Sequence, residues 1–339
     1  MSETYTVESL RLNMTTHSYA IRSNLGMGSS GFVSPEEGIQ FGPYFRLEGV
    51  SPVRHLGAVY EKFEKESDYG KFAPFRDEIY CELVANEKDW AFLQDSQGEL
   101  FSDLPAEVRL KIIQGHADAM FLLFRLCGMT QFTVPVELHG SSFKSLKQQP
   151  DKSVRAKFRF SQALIFPVIG PGVPQRLDKE NIEWIMNHLL TVVQMNSSGE
   201  LHFLHDLFDI INFPNPSIQL VQIWAAIESV VKSQIKRTRH SIRSRCAMLL
   251  CETVHERRQL YAHIGKLYDF RCAIVHGTEE FSIEKYLNGF QETEIVGETK
   301  LLFDSFSILK RLVVKMIEGG EIPSPEILQT LQNDYDKMK

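Results

Sequence analysis

A chain of 339 residues, 43% apolar and 24% charged, has material for about two globular domains and is not a largely disordered polymer. Its 37 Lys and Arg against 43 Asp and Glu leave a formal charge of −6, which excludes a wholly basic nucleic-acid coat but not a local basic patch. The polar, acidic start lacks a signal-peptide core, and no apolar run reaches the roughly 18 residues of a bilayer span. The expectation is a cytoplasmic chain with no membrane partner. Five scattered cysteines without a CxxC pair form neither a zinc ribbon nor a disulfide framework.

In chain order, short runs rich in β-branched and aromatic residues at 44–48, 78–84, 132–138 and 157–166 predict strands. One helix is expected over 103–127, with Val108, Ile112, Ala119, Leu122 and Leu126 as its apolar stripe. The Pro- and Gly-dense text from Pro167 to Pro174 cannot continue a helix or a central strand and marks a linker. The division that follows is a mixed α+β recognition domain at 1–166, a linker at 167–176 and a helical bundle at 177–339.

Beyond the linker the spacing is helical. Asp178 opens a helix carrying Ile182, Ile185, Leu189 and Val192, and Pro216 opens another carrying Leu220, Trp224, Ile227 and Val231. Further helices are expected over 242–251 and 256–276, then one through Leu302, Phe306, Leu309, Val313 and Met316 that Gly319 and Gly320 close. Ser324 and Pro325 start the last, and 279–300 reads as the longest loop of this half.

Two charges stand in apolar slots. Behind Leu260, Ile264 and Leu267 the helical period calls for a hydrophobe at position 271 and finds Arg271. Likewise, Glu228 interrupts the stripe of Val221, Trp224 and Val231. A guanidinium in a core-facing slot needs a carboxylate, a cleft or a subunit boundary, so these two are expected to meet. His276 follows by five residues, roughly 140° further round a regular helix. Gly277 is the residue that ends helices, so His276 is expected on the cap, out of regular phase and placed to exchange protons near neutral pH. On the residues alone, an ion pair that merely fixes helix register stands open beside a catalytic site.

The run Leu267-Tyr268, then Arg271 and His276-Gly277, resembles the Arg-x4-His signature of the HEPN superfamily, and within it the ApeA-like branch. Trp224-Ala225-Ala226-Ile227-Glu228 is similar to that branch's aromatic-x-x-aliphatic-Glu helix, and the segment from Arg245 to Leu250 to its Arg-x-Ala-x-Leu-Leu text. The likeness covers about 178–317. It implies a helical bundle that forms a homodimer through the carboxy-terminal domain and cleaves RNA without metal or cofactor. Arg271 and His276 fall on the catalytic positions, with Glu228 and Cys272 in support. Attack by the ribose 2′-OH on the adjacent phosphate implies that DNA is not a substrate. Many active members carry Asn, Asp or His where this chain has Cys272, whereas ApeA-like members often have a small residue there. A non-catalytic HEPN module that binds RNA or a protein is the alternative. By the same analogy, the setting is defence against phage.

Lys232, Lys236, Arg237, Arg239, Arg243 and Arg245 follow one another with no acid among them, joined by His240 and extended by Arg257 and Arg258. In an acidic chain this is the expected RNA-binding patch, or else a solvated helix end. Three other patterns carry less. Gly26-Met27-Gly28-Ser29-Ser30-Gly31 matches GxGxxG, but Pro35 follows where a dinucleotide-binding helix should run. His202, His205 and Asp206 lack further ligands for a metal. Cys272 and His276 lack the third group of a nucleophilic site.

Overall fold

The computed structural model describes residues 16–23, 38–49, 81–91, 93–94, 98–127, 132–133, 136–139, 155–158, 179–198, 215–231, 239–289 and 294–338. Contacts divide the chain into two compact units, Met1–Ser161 with Pro174–Asn187 and Gln162–Val173 with His188–Lys339, and the last boundary falls inside a helix. The expected linker at 167–176 lies outside the described residues.

The first unit is an antiparallel sheet with helices, so an α+β unit precedes a helical one, as the text implies. Its strands are β1 (Thr16–Ser23), β2 (Ile39–Phe41), β3 (Phe45–Gly49), β4 (Cys81–Asn86), β5 (Phe132–Thr133), β6 (Val136–His139) and β7 (Arg155–Phe158). They run in the order β2-β3-β4-β1-β6-β7, with β5 also on β1. The alternation is of period two: Phe45, Leu47, Leu83 and Ala85 are buried while Arg46 is exposed. Gly42, at φ 57°, turns β2 into β3 with Phe41 opposite Phe45.

Two short helices follow β4: α1 (Glu87–Trp90) directly, and a 3₁₀ turn at Phe101–Asp103 that leads to α2 (Ala106–Leu126). Ala119, Leu122 and Leu126 of the expected stripe are buried, but in the first half of α2 the buried face lies one residue further on. Val108 is 40% exposed, and Arg109, Ile113, Ala117, Met120 and Phe124 point inward. Arg109 disguises this face, and Glu87 accounts for it: Nε donates to the Glu87 carboxylate at 3.0 Å and Nη1 to the Leu104 carbonyl at 2.7 Å. Phe124 meets Phe41 edge-on, and His116 stacks on Tyr44 and abuts Trp90. Within the single strand expected at 132–138, the described residues form β5 and the start of β6.

The remaining helices are α3 (Lys179–Ser197), α4 (Pro216–Val230), α5 (Arg239–Leu250), α6 (Val254–Val275), α7 (Ile283–Asn288), α8 (Gly297–Gly319) and α9 (Pro325–Lys337). Their ends are set by short-range chemistry. Asn215 accepts from the N–H groups of Ser217 and Ile218 before Pro216 at the first turn. Thr253 and Glu256 form a capping box on α6, and Gly320 closes α8 at φ 73°. In the second unit α6 packs along α5 and touches α4 and α8, while α8 lies on α4 and α9 on α5. Leu220, Ile223, Trp224, Ile227, Ile264, Leu267, Leu302, Leu309 and Val313 form the core between them.

The stretch 279–300 is not the loop expected. Ser282 caps α7 by accepting from the N–H of Lys285, and Tyr286 and Phe281 are buried. Gly289 lies so close to Thr299 that an added Cβ would come within 2.0 Å of its hydroxyl oxygen. Among the described residues no helix is long and apolar enough to cross a membrane.

Candidate functional site

The carboxy-terminal half of α6 lies against α4, and the two out-of-place charges meet there. Arg271 Nη2 stands 3.6 Å from Glu228 Oε1, with the side chains 21% and 15% exposed. Trp224, one turn before Glu228, is fully buried, and Tyr268 of α6 meets it edge-on with ring centroids 5.3 Å apart. Tyr268 belongs to the motif read from the sequence but was given no role there, although its place three residues before Arg271 puts it on the same helix face. Burial raises the Tyr268 hydroxyl above the ordinary tyrosine range, and the nearby Cys272 and Glu228 push the same way. Arg271 Nε and Trp224 Nε1 are both buried N–H donors with no acceptor among the described residues.

His276 is the residue that caps α6, and its side chain is exposed. The end is a Schellman motif: the Gly277 N–H donates to the Ile274 carbonyl at 3.2 Å and the Thr278 N–H to Ala273 at 2.9 Å, with Gly277 at φ 68°. However, the His276 N–H still donates to the Cys272 carbonyl at 2.9 Å, so helical phase persists through His276 and breaks only at Gly277. This corrects the expectation that the glycine frees the histidine. Within one chain, Arg271 turns inward to Glu228 and His276 turns out to solvent, about 140° apart around the helix. Cys272 is a half-buried free thiol between them in sequence.

The expected RNA-binding cations divide three ways. Lys232, Lys236 and Arg237 lie outside the described residues. Arg239 and Arg243 bind α6: Arg239 pairs with Asp269 and donates to the Gly265 carbonyl, and Arg243 lies 3.8 Å over the Tyr261 ring while donating to the Tyr261 carbonyl. Arg245 does not belong to a phosphate-facing surface. It is 2% exposed, and its guanidinium donates to the carbonyls of Val231 and Leu328 and to the side-chain oxygen of Gln332. His240 bridges the Tyr261 hydroxyl and the Asp336 carboxylate, which ties α9 to α5 and α6.

Gly26 to Gly31 and the residues His202, His205 and Asp206 lie outside the described residues. Among the described residues no group of three or more His, Cys, Asp or Glu side chains is arranged to hold a metal. Compared with protein-family models, curated proteins and solved structures, the chain gives no significant match.

Proposed function

We propose that the chain is a HEPN-like, metal-independent endoribonuclease that works as a homodimer, with Arg271 and His276 as its catalytic residues. The reading is supported by one arrangement: an arginine held half-buried by Glu228, and an unburied imidazole on the cap of the same helix. Because the two side chains diverge within one chain, two copies meeting at the ends of their α6 helices would set the imidazole of one beside the guanidinium of the other. An imidazole then takes the ribose 2′-OH proton, and the oxygen forms a bond to the adjacent phosphorus. The bond to the 5′-oxygen breaks, and that oxygen leaves with a proton. Arg271 balances the charge that gathers on the phosphoryl oxygens. The products are a 2′,3′-cyclic phosphate and a 5′-hydroxyl, and DNA resists. By the same likeness the setting is a cytoplasmic defence against phage, with the first unit as sensor.

Purified protein should cleave RNA in the presence of a chelator, and Arg271→Ala or His276→Ala should abolish the cleavage. Undiminished cleavage by the double variant would sink the proposal. The close Arg271–Glu228 pair also favours a second reading, a non-catalytic module in which the pair serves helix packing. That reading expects RNA or protein binding without strand scission, and Arg271→Ala lowering dimer stability rather than turnover.

A further inference from the structure

At the opposite end of α6 from Arg271, the turn between α5 and α6 and one face of α8 enclose an open groove of about 700 Å³. Arg257, Lys310, Arg311 and Lys315 line it, opposed by two carboxylates. The carboxy-terminal end of α5 opens into it and carries roughly half a negative charge, and the formal charges of the lining still sum to a positive value. This is the reverse of the chain's overall charge of −6.

The two arginines are pre-set. Arg311 donates to the Leu250 carbonyl and Arg257 to the Cys251 carbonyl, each at 2.9 Å. Each carbonyl occupies only part of a planar fork of five N–H donors. Lys315 lies one turn beyond Arg311 on the same exposed face of α8, and its ammonium bonds nothing among the described residues. Cations aligned one turn apart suit an extended polyanion better than a single small ion. Met248 and Val314 in the lining give ribose and base an apolar surface to cover, which a polyacidic peptide would not use.

We infer that this groove is a track for the phosphodiester backbone of single-stranded RNA. The inference rests on the RNA reading above and adds where the strand lies away from the scissile bond. Arg257 and Arg271 are separated by 14 positions on α6, about 21 Å of helix, or roughly six nucleotides at stacked spacing.

The test is fluorescence anisotropy of a labelled 20-nucleotide single-stranded RNA on the full-length His276→Ala protein, which is expected to leave the strand uncut, over a range of salt. Arg311→Glu with Lys315→Glu should weaken binding by about tenfold or more and lower the salt slope by about 1.4, two contacts' worth. Lys315→Glu alone should give about half of that logarithmic effect, and guards against loosening of the turn by loss of Arg311. An equal loss from Lys266→Glu with Lys300→Glu, the same charge change on exposed lysines outside the groove lining, would overturn the inference. So would unchanged affinity and slope in the folded groove variant, or displacement of the RNA by polyglutamate at equal charge concentration. If the groove binds RNA as stated while the natural chain leaves RNA intact, the cleavage proposal falls and the groove stands. The converse result removes the groove alone.

Discussion

Glu228 and Arg271, 43 residues apart in sequence, stand 3.6 Å from one another where α4 meets α6, both mostly shielded from water. Such a pair is costly to break from one side and cheap to replace whole. Arg271→Ala and Glu228→Ala should each destabilise the chain by about 1–3 kcal/mol, since each leaves a partly buried charge without its partner. Arg271→Met combined with Glu228→Leu should restore most of that stability while cleavage stays absent. Urea unfolding of the four proteins compares their stabilities, and the proposal fails if the apolar pair still cuts RNA.

His276 offers the cleaner separation of chemistry from architecture. Its ring is exposed, while the Schellman closure uses its neighbours' backbone groups. His276→Ala should therefore change stability by no more than about 0.5 kcal/mol and still remove cleavage. A matched melting curve with undiminished cleavage would strip His276 of its role.

Arg245 and Arg239 sit six residues apart in the same cation-rich segment and should behave in opposite ways. Arg245 is buried with three acceptors, two on α9 and one at the end of α4, so Arg245→Ala should cost about 3 kcal/mol or more. Arg239 is 46% exposed in its pair with Asp269, and Arg239→Ala should cost less than about 1 kcal/mol. Comparable denaturation midpoints for the two would contradict this assignment.

What the text disclosed and what it hid follow from the range of the interactions. Helix ends at Pro216, Gly277, Gly320 and Pro325 were legible because each is set by residues within a turn of it. The Glu228–Arg271 contact was legible because both residues break an apolar period, and two opposite misfits suggest one another. Arg109 broke a period in the same way, but the apolar text from Ala119 to Phe124 is buried all round the helix and offered a second phase. The inward turn of Arg245 was hidden because its acceptors, Leu328 and Gln332, come from a helix more than 80 residues away. Strand β1 was missed for a related reason: its sequence, THSYAIRS, has no clean alternation, yet it pairs with both β4 and β6.

The first unit should soften in acid, and His116 identifies one cause. Its ring packs between Tyr44 and Trp90, and burial lowers its pKa, opposed in part by the Ile112 carbonyl beside Nδ1. A histidine depressed in the folded chain binds fewer protons there than in the unfolded chain. Its contribution is therefore intact above about pH 6.5, the unfolded value, and is lost as pH falls below it toward the folded value. His116→Phe keeps a ring in the same aromatic stack and removes the titration. Hydrogen exchange over α2 in the full chain, corrected for intrinsic rates, should show protection falling between pH 6.5 and 5 more steeply in the natural chain than in the variant. Parallel curves would show that the imidazole does not carry the acid sensitivity of this unit.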